Sequence, residues 1–185
     1  MDTISKIAIE VARQAVPDEI HQARLVAENF VKGGKRRKEL LQPARAGELG
    51  GFGFGDASLL AWIFHAMTEA APLLAGFLAS KTIDNSALIV SEIRSALDAR
   101  RPSHQHQEQP DQQQLQQNAF SSPPQSQFYT GPKQLQQCVV ALGNALQKSG
   151  LPSEESEKVA YRAIGALWEE APDALVFLRK ITEKK

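Results

Sequence analysis

The densest group of chemically active side chains is basic: Lys32, Lys35, Arg36, Arg37 and Lys38, joined by Arg45, with Glu39 the one opposing charge through the run. Clustered cations raise a local positive potential that attracts phosphate, on nucleic acid or on an anionic lipid surface, and each such contact weakens with salt. The pattern also suits a nuclear-localisation signal. The competing reading is a solvated helix end. No aromatic residue is interleaved with the cations, so a base-stacking platform for single strands is disfavoured and nucleic acid is the weaker partner.

Other reactive groups are sparse. His65 and Glu69 stand four apart, on one face if that stretch is helical, and could hold a metal or orient an imidazole as a base. Zinc needs a third ligand, and His104 and His106 fall in a glutamine-rich segment far along the chain, so a surface hydrogen bond or a packed contact is expected instead. The single cysteine, Cys138, cannot form an intramolecular disulfide. It lies among Leu135, Val139, Leu142 and Leu146 at helical spacing, which marks a buried structural thiol rather than a nucleophile. Gly51-Phe52-Gly53-Phe54-Gly55 has neither the preceding strand nor the glycine spacing of a phosphate loop, and reads as a hinge with two apolar anchors. No Ser-His-Asp arrangement or paired carboxylates stand out. The expectation is a chain that is not an enzyme and uses no metal or cofactor.

The apolar residues point elsewhere. From Leu59 to Ala79 the chain carries Leu59, Leu60, Ile63, Phe64, Leu73, Leu74, Phe77 and Leu78, long enough as a helix to cross a bilayer at about 1.5 Å per residue. His65, Thr68, Glu69 and Pro72 near its middle oppose a simple span. A buried pair of helices is the plainer expectation, and a segment that inserts into anionic membrane on a trigger, held there by the basic run upstream, is the sharper one. Near the carboxy terminus, Trp168, Leu175, Phe177 and Leu178 belong to a unit of three short helices whose core would be thin. Docking on a protein partner would stabilise such a unit.

These groups must be positioned by helices, because apolar residues recur at three and four throughout and no stretch alternates with period two. Helices are expected over residues 4–15, from Asp18 to Val31, over 35–41, through 59–67, from Leu73 to Leu78, over 85–100, and then over 133–148, 153–170 and 173–183. Asp56 or Ser58 can cap the helix that begins at Leu59. Between Pro102 and Thr130 ten glutamines, four prolines and four serines leave too little apolar area to offset the ordering entropy, as in a disordered linker. The fold class read from this is all-α: two small helical bundles, 1–101 and 131–185, joined by the linker 102–130. An internal echo runs at a spacing of 100. Ala66-Met67-Thr68-Glu69-Ala70-Ala71-Pro72 with Phe77-Leu78 answers to Ala166-Leu167-Trp168-Glu169-Glu170-Ala171-Pro172 with Phe177-Leu178, from a duplication or from convergence of helix-proline-helix junctions.

Twenty-one basic residues balance twenty-one acidic ones and the isoelectric point is near 6.9, which excludes the globally basic charge of a histone-like chain. The opening residues carry no secretory pattern, so a cytoplasmic place, with peripheral membrane association open, is expected. The function expected is a helical adaptor recruiting a protein partner through its carboxy-terminal unit. Membrane action through residues 57–80 is the alternative, and oligomerisation is open.

Overall fold

The computed structural model describes residues 2–42, 58–81, 83–98 and 131–183. Arg45, the glycine-rich stretch 47–55, Asp56 and the segment 102–130 lie outside them. Among the described residues every regular element is helical, as the periodicity requires.

Helix α1 (Thr3–Ala15) begins where Asp2 caps it, its carboxylate accepting the Ser5 backbone N–H at 2.9 Å and the Ser5 hydroxyl at 2.7 Å. Those two bonds favour the ionised form and hold the Asp2 carboxyl below its ordinary value. Pro17 starts not the continuous helix that the periodicity suggests but a 3₁₀ turn (Pro17–Gln22), tightened by the Glu19 N–H on the Val16 carbonyl at 2.9 Å. Helix α2 (Ala23–Lys32) then buries Ala23, Val26, Ala27 and Phe30 and stops at Gly33, whose φ of 70° suits glycine. The short α3 (Gly34–Leu40) carries the basic run.

Helix α4 (Leu59–Glu69) is capped from two sides. Ser58 Oγ accepts the Ala61 N–H at 3.2 Å, while the Glu19 carboxylate accepts the Leu59 N–H at 2.8 Å, the Leu60 N–H at 3.2 Å and the Ser58 hydroxyl at 2.6 Å. A carboxylate there also complements the positive end of the helix dipole. Helix α5 (Ala71–Ala79) follows after Ala70 alone, with Pro72 in its first turn and the axes bent by 77°. Helices α6 (Ile83–Asp98), α7 (Gly131–Lys148), α8 (Ser153–Glu169) and α9 (Ala171–Thr182) complete the described chain.

The two helical parts expected on either side of the glutamine-rich segment are both present, and they share one core. Helix α1 lies on α8 and α9, α7 lies on α4 and α5, α5 packs on α9, and α6 rests across α7 and α8. Apolar faces that would be thin within residues 131–183 are thereby closed by the amino-terminal half. Three edge-on rings tie the parts together: Phe64 stands 5.7 Å from Phe30 and 5.2 Å from Phe177, centroid to centroid.

The echo at 100 residues extends to burial. Helices α4 and α5 bury Leu60, Ala61, Ile63, Phe64, Ala66, Met67, Ala71, Leu74, Phe77 and Leu78, and α8 and α9 bury the residue 100 further on in every case. Helices α1 and α7 correspond at an offset of 131, which pairs buried Ile7, Ala8, Val11 and Ala15 with buried Cys138, Val139, Leu142 and Leu146. Exchanging α1 with α7, α4 with α8 and α5 with α9 maps the packing of α1 on α8 onto that of α7 on α4, and the packing of α1 on α9 onto that of α7 on α5. In both halves the first of these helices therefore lies on the later two of the other half, although α7 also packs extensively on its own α8.

Candidate functional site

The basic run does not act as one surface. Lys32, Lys35, Arg36 and Lys38 are exposed, and Lys35 lies 3.7 Å from Glu39. Arg37 turns inward. Its guanidinium sits 4.0 Å over the Phe30 ring and donates to the Ile181 carbonyl at 3.0 Å and to Thr68 Oγ1 at 3.1 Å. Desolvation lowers its pKa from the usual arginine value, yet an arginine so placed keeps its charge at any ordinary pH. Arg37 is thus a cap on the carboxy-terminal end of α9, and the positive charge this run leaves at the described surface is that of Lys32, Lys35, Arg36 and Lys38.

The apolar segment is mostly core. Leu60, Ile63, Phe64, Leu74, Phe77 and Leu78 are buried, Leu59 is half-buried, and Leu73 alone is well exposed, at 46%. No single described helix is long and apolar enough to cross a membrane; α4 and α5 meet that standard only as a sharply bent pair. The carboxy-terminal quartet divides similarly: Trp168, Phe177 and Leu178 are buried and Leu175 is half-buried. The Trp168 ring stands 4.6 Å from that of Phe77, so the surface expected to meet a partner meets this chain's own α5.

His65 Nε2 lies 3.7 Å from the Glu69 carboxylate, a partly exposed i, i+4 pair, and no cluster of three metal-ligating side chains occurs among the described residues. Cys138 is buried at the α7 core face, and burial pushes its thiol up to about 11 from 9.0. Because the folded value is raised, the stability it contributes is complete below pH 9 and is lost as pH rises through 11. Cys138 should react with a thiol reagent only after denaturation, and the fall in unfolding free energy between those pH values should be smaller in Cys138→Ala.

A trough of about 1150 Å³ opens between α6 on one side and α5 with α9 on the other. Its walls include Leu78, Val90, Ala171 and Leu175, and the charged side chains that line it among the described residues, Lys81 and Arg94, are both cationic. Lys81 is held in place: Nζ donates to the carbonyls of Trp168 and Glu169 at the end of α8 and stands 5.4 Å from the Trp168 ring centre. Arg94 is exposed. A trough with an apolar floor and two positive groups accepts an apolar body bearing negative charge. Of the partner-facing residues expected from sequence, Leu78 and Leu175 line it; Lys81, Val90, Arg94 and Ala171 were not among them. Lys81 carries a trace in sequence, as the first cation after a long apolar run, whereas Arg94 is indistinguishable there from any solvated charge on an amphipathic helix.

Comparison with protein-family models, with curated proteins and with solved structures finds no match to this chain.

Proposed function

We propose that the chain is a non-enzymatic interaction protein whose trough between α5, α6 and α9 binds an amphipathic helix of a protein partner, one that carries acidic residues beside its apolar face. The observation that supports this is the trough's lining, with Leu78, Val90, Ala171 and Leu175 as apolar contacts and, among the described residues, Lys81 and Arg94 as charges. A helix docked in such a trough places apolar anchors at i, i+3, i+4 and i+7 against the floor, and the cations select and steer acidic flanks. The carboxy-terminal part contributes through α9. Membrane insertion by residues 57–80 would require Phe64, Leu74 and Phe77 to leave a closed core, and nucleic-acid binding would proceed without Arg37, so both readings stand behind this one.

The test uses the full chain and a synthetic helical peptide with leucine at the anchor positions and glutamate on the flanks. Amide shifts should move at Ala87, Val90 and Leu175, and Arg94→Glu should weaken this site about tenfold, the scale of about 1.4 kcal/mol. A peptide of the same pattern with lysine flanks should bind far less. Equal binding of both peptides at these amides, or no shift there, would reject the reading.

A further inference from the structure

We infer that a second face, formed by α5 and α7 around Leu73 and Val140, is a separate docking site for an acidic amphipathic helix of a partner, so that the chain can bridge two helices at once. Leu73 is 46% and Val140 51% exposed, and they share a groove of about 690 Å³ with Ala141 and the polar Lys133, Gln136 and Gln137. Two large apolar side chains at one exposed groove are an energetic liability unless something covers them.

The molecule contains its own control for this face. At the offset of 100, Leu73 corresponds to Asp173 and Ala70 to Glu170; at the offset of 131, Gln137 corresponds to Lys6. In that other half Lys6 Nζ lies 2.6 Å from the Glu170 carboxylate and 2.8 Å from that of Asp173, so the junction of first helix and last helix is closed by charge. The equivalent junction of α7 and α5 has none of those three charges and sets Leu73, Val140 and Ala141 beside Lys133 and three side-chain amides. Where the α1–α9 junction places an ion-pair network, the α5–α7 junction places the exposed Leu73 and Val140.

Charge decides what covers it. Helix α7 has no aspartate or glutamate, and Lys133 and Lys148 stand near its two ends, about 22 Å apart at 1.5 Å per residue. A second copy laid on this face would bring lysine to lysine, near Lys133 or Lys148 of its mate, in either direction. A partner helix with acidic residues beside its apolar face meets Lys133 at the groove itself.

This site is independent of the trough between α5, α6 and α9, and one titration separates them. With the same glutamate-flanked peptide and the full chain, amides of Leu73, Val140 and Ala141 should shift in addition to those of Val90 and Leu175. Val140→Glu, on an exposed position where circular dichroism should show the fold kept, should weaken binding at α7 at least tenfold and leave the trough's shifts in place. Val140→Leu should retain binding at both. The proposal is overturned if the α7 amides stay still while the trough responds, if the lysine-flanked peptide moves them equally, or if sedimentation shows a dimer of the wild-type chain that Val140→Glu turns into monomer. Loss of shifts at the trough alone would count against the first site and leave this one standing.

Discussion

Residues 131–185, produced without the rest of the chain, are expected to lack a fixed tertiary structure. In the intact protein α8 and α9 bury Leu167, Trp168, Phe177 and Ile181, and α1, α4 and α5 pack on these two helices, with Phe77 against Trp168 and Phe64 against Phe177. Each such side chain returned to water forfeits about 1.5–3 kcal/mol of burial, and the sum over these four, about 6–12 kcal/mol, is as large as the 5–15 kcal/mol by which a typical whole domain is stable. The helices also lose their end partners. Lys81 no longer caps α8, Arg37 no longer caps α9, and Lys6 no longer pairs with Glu170 and Asp173. The fragment should show little dispersion in its proton spectrum and no cooperative urea transition. Adding residues 1–101 should restore both, because α1 and α5 of that half pack on α8 and α9. A fragment that melts cooperatively on its own would show that the carboxy-terminal helices have a sufficient core of their own.

The same sharing explains how far the sequence could be read. Helix positions were legible because each apolar stripe repeats at three and four whatever it packs on; 133–148 against the observed Gly131–Lys148 and 153–170 against Ser153–Glu169 show how closely. Which surface an apolar stripe faces is not written in its period. Phe77 and Trp168 look alike whether they face lipid, a partner or each other, and the structure places them against each other at 4.6 Å. The repeat at 100 residues was visible as residue identity, but the matched burial in α8 and α9, and the offset of 131 between α1 and α7, exist only once the packing is known. The trough was hidden for a related reason: it is assembled from Lys81 after α5, Arg94 on α6 and Leu175 on α9, positions joined by no motif.

Arg36 and Arg37, adjacent in one basic run, are expected to behave as different kinds of residue. Arg37→Ala removes donors from the Ile181 carbonyl and from Thr68 Oγ1 and uncovers the Phe30 ring. A hydrogen bond from a charged group contributes about 1.5–3 kcal/mol, and part of this guanidinium is still wetted, so a loss of about 2–3 kcal/mol in urea-induced unfolding is expected. Arg37→Lys should recover little of it, since an ammonium cannot lie flat on the ring while reaching both oxygens. Arg37→Glu should be worse than alanine, because a carboxylate would face the Ile181 carbonyl and the negative end of α9. Arg36→Glu lies on the exposed side of α3 and should stay within about 0.5 kcal/mol of the wild-type chain. Anion binding should sort the other way: any salt-dependent affinity of α3 for phosphate-bearing surfaces should fall with Arg36→Glu and not with Arg37→Lys. Equal destabilisation by the Arg36 and Arg37 variants would place Arg37 at the surface with its neighbours, and the tie between α3 and α9 would then have to come from other contacts.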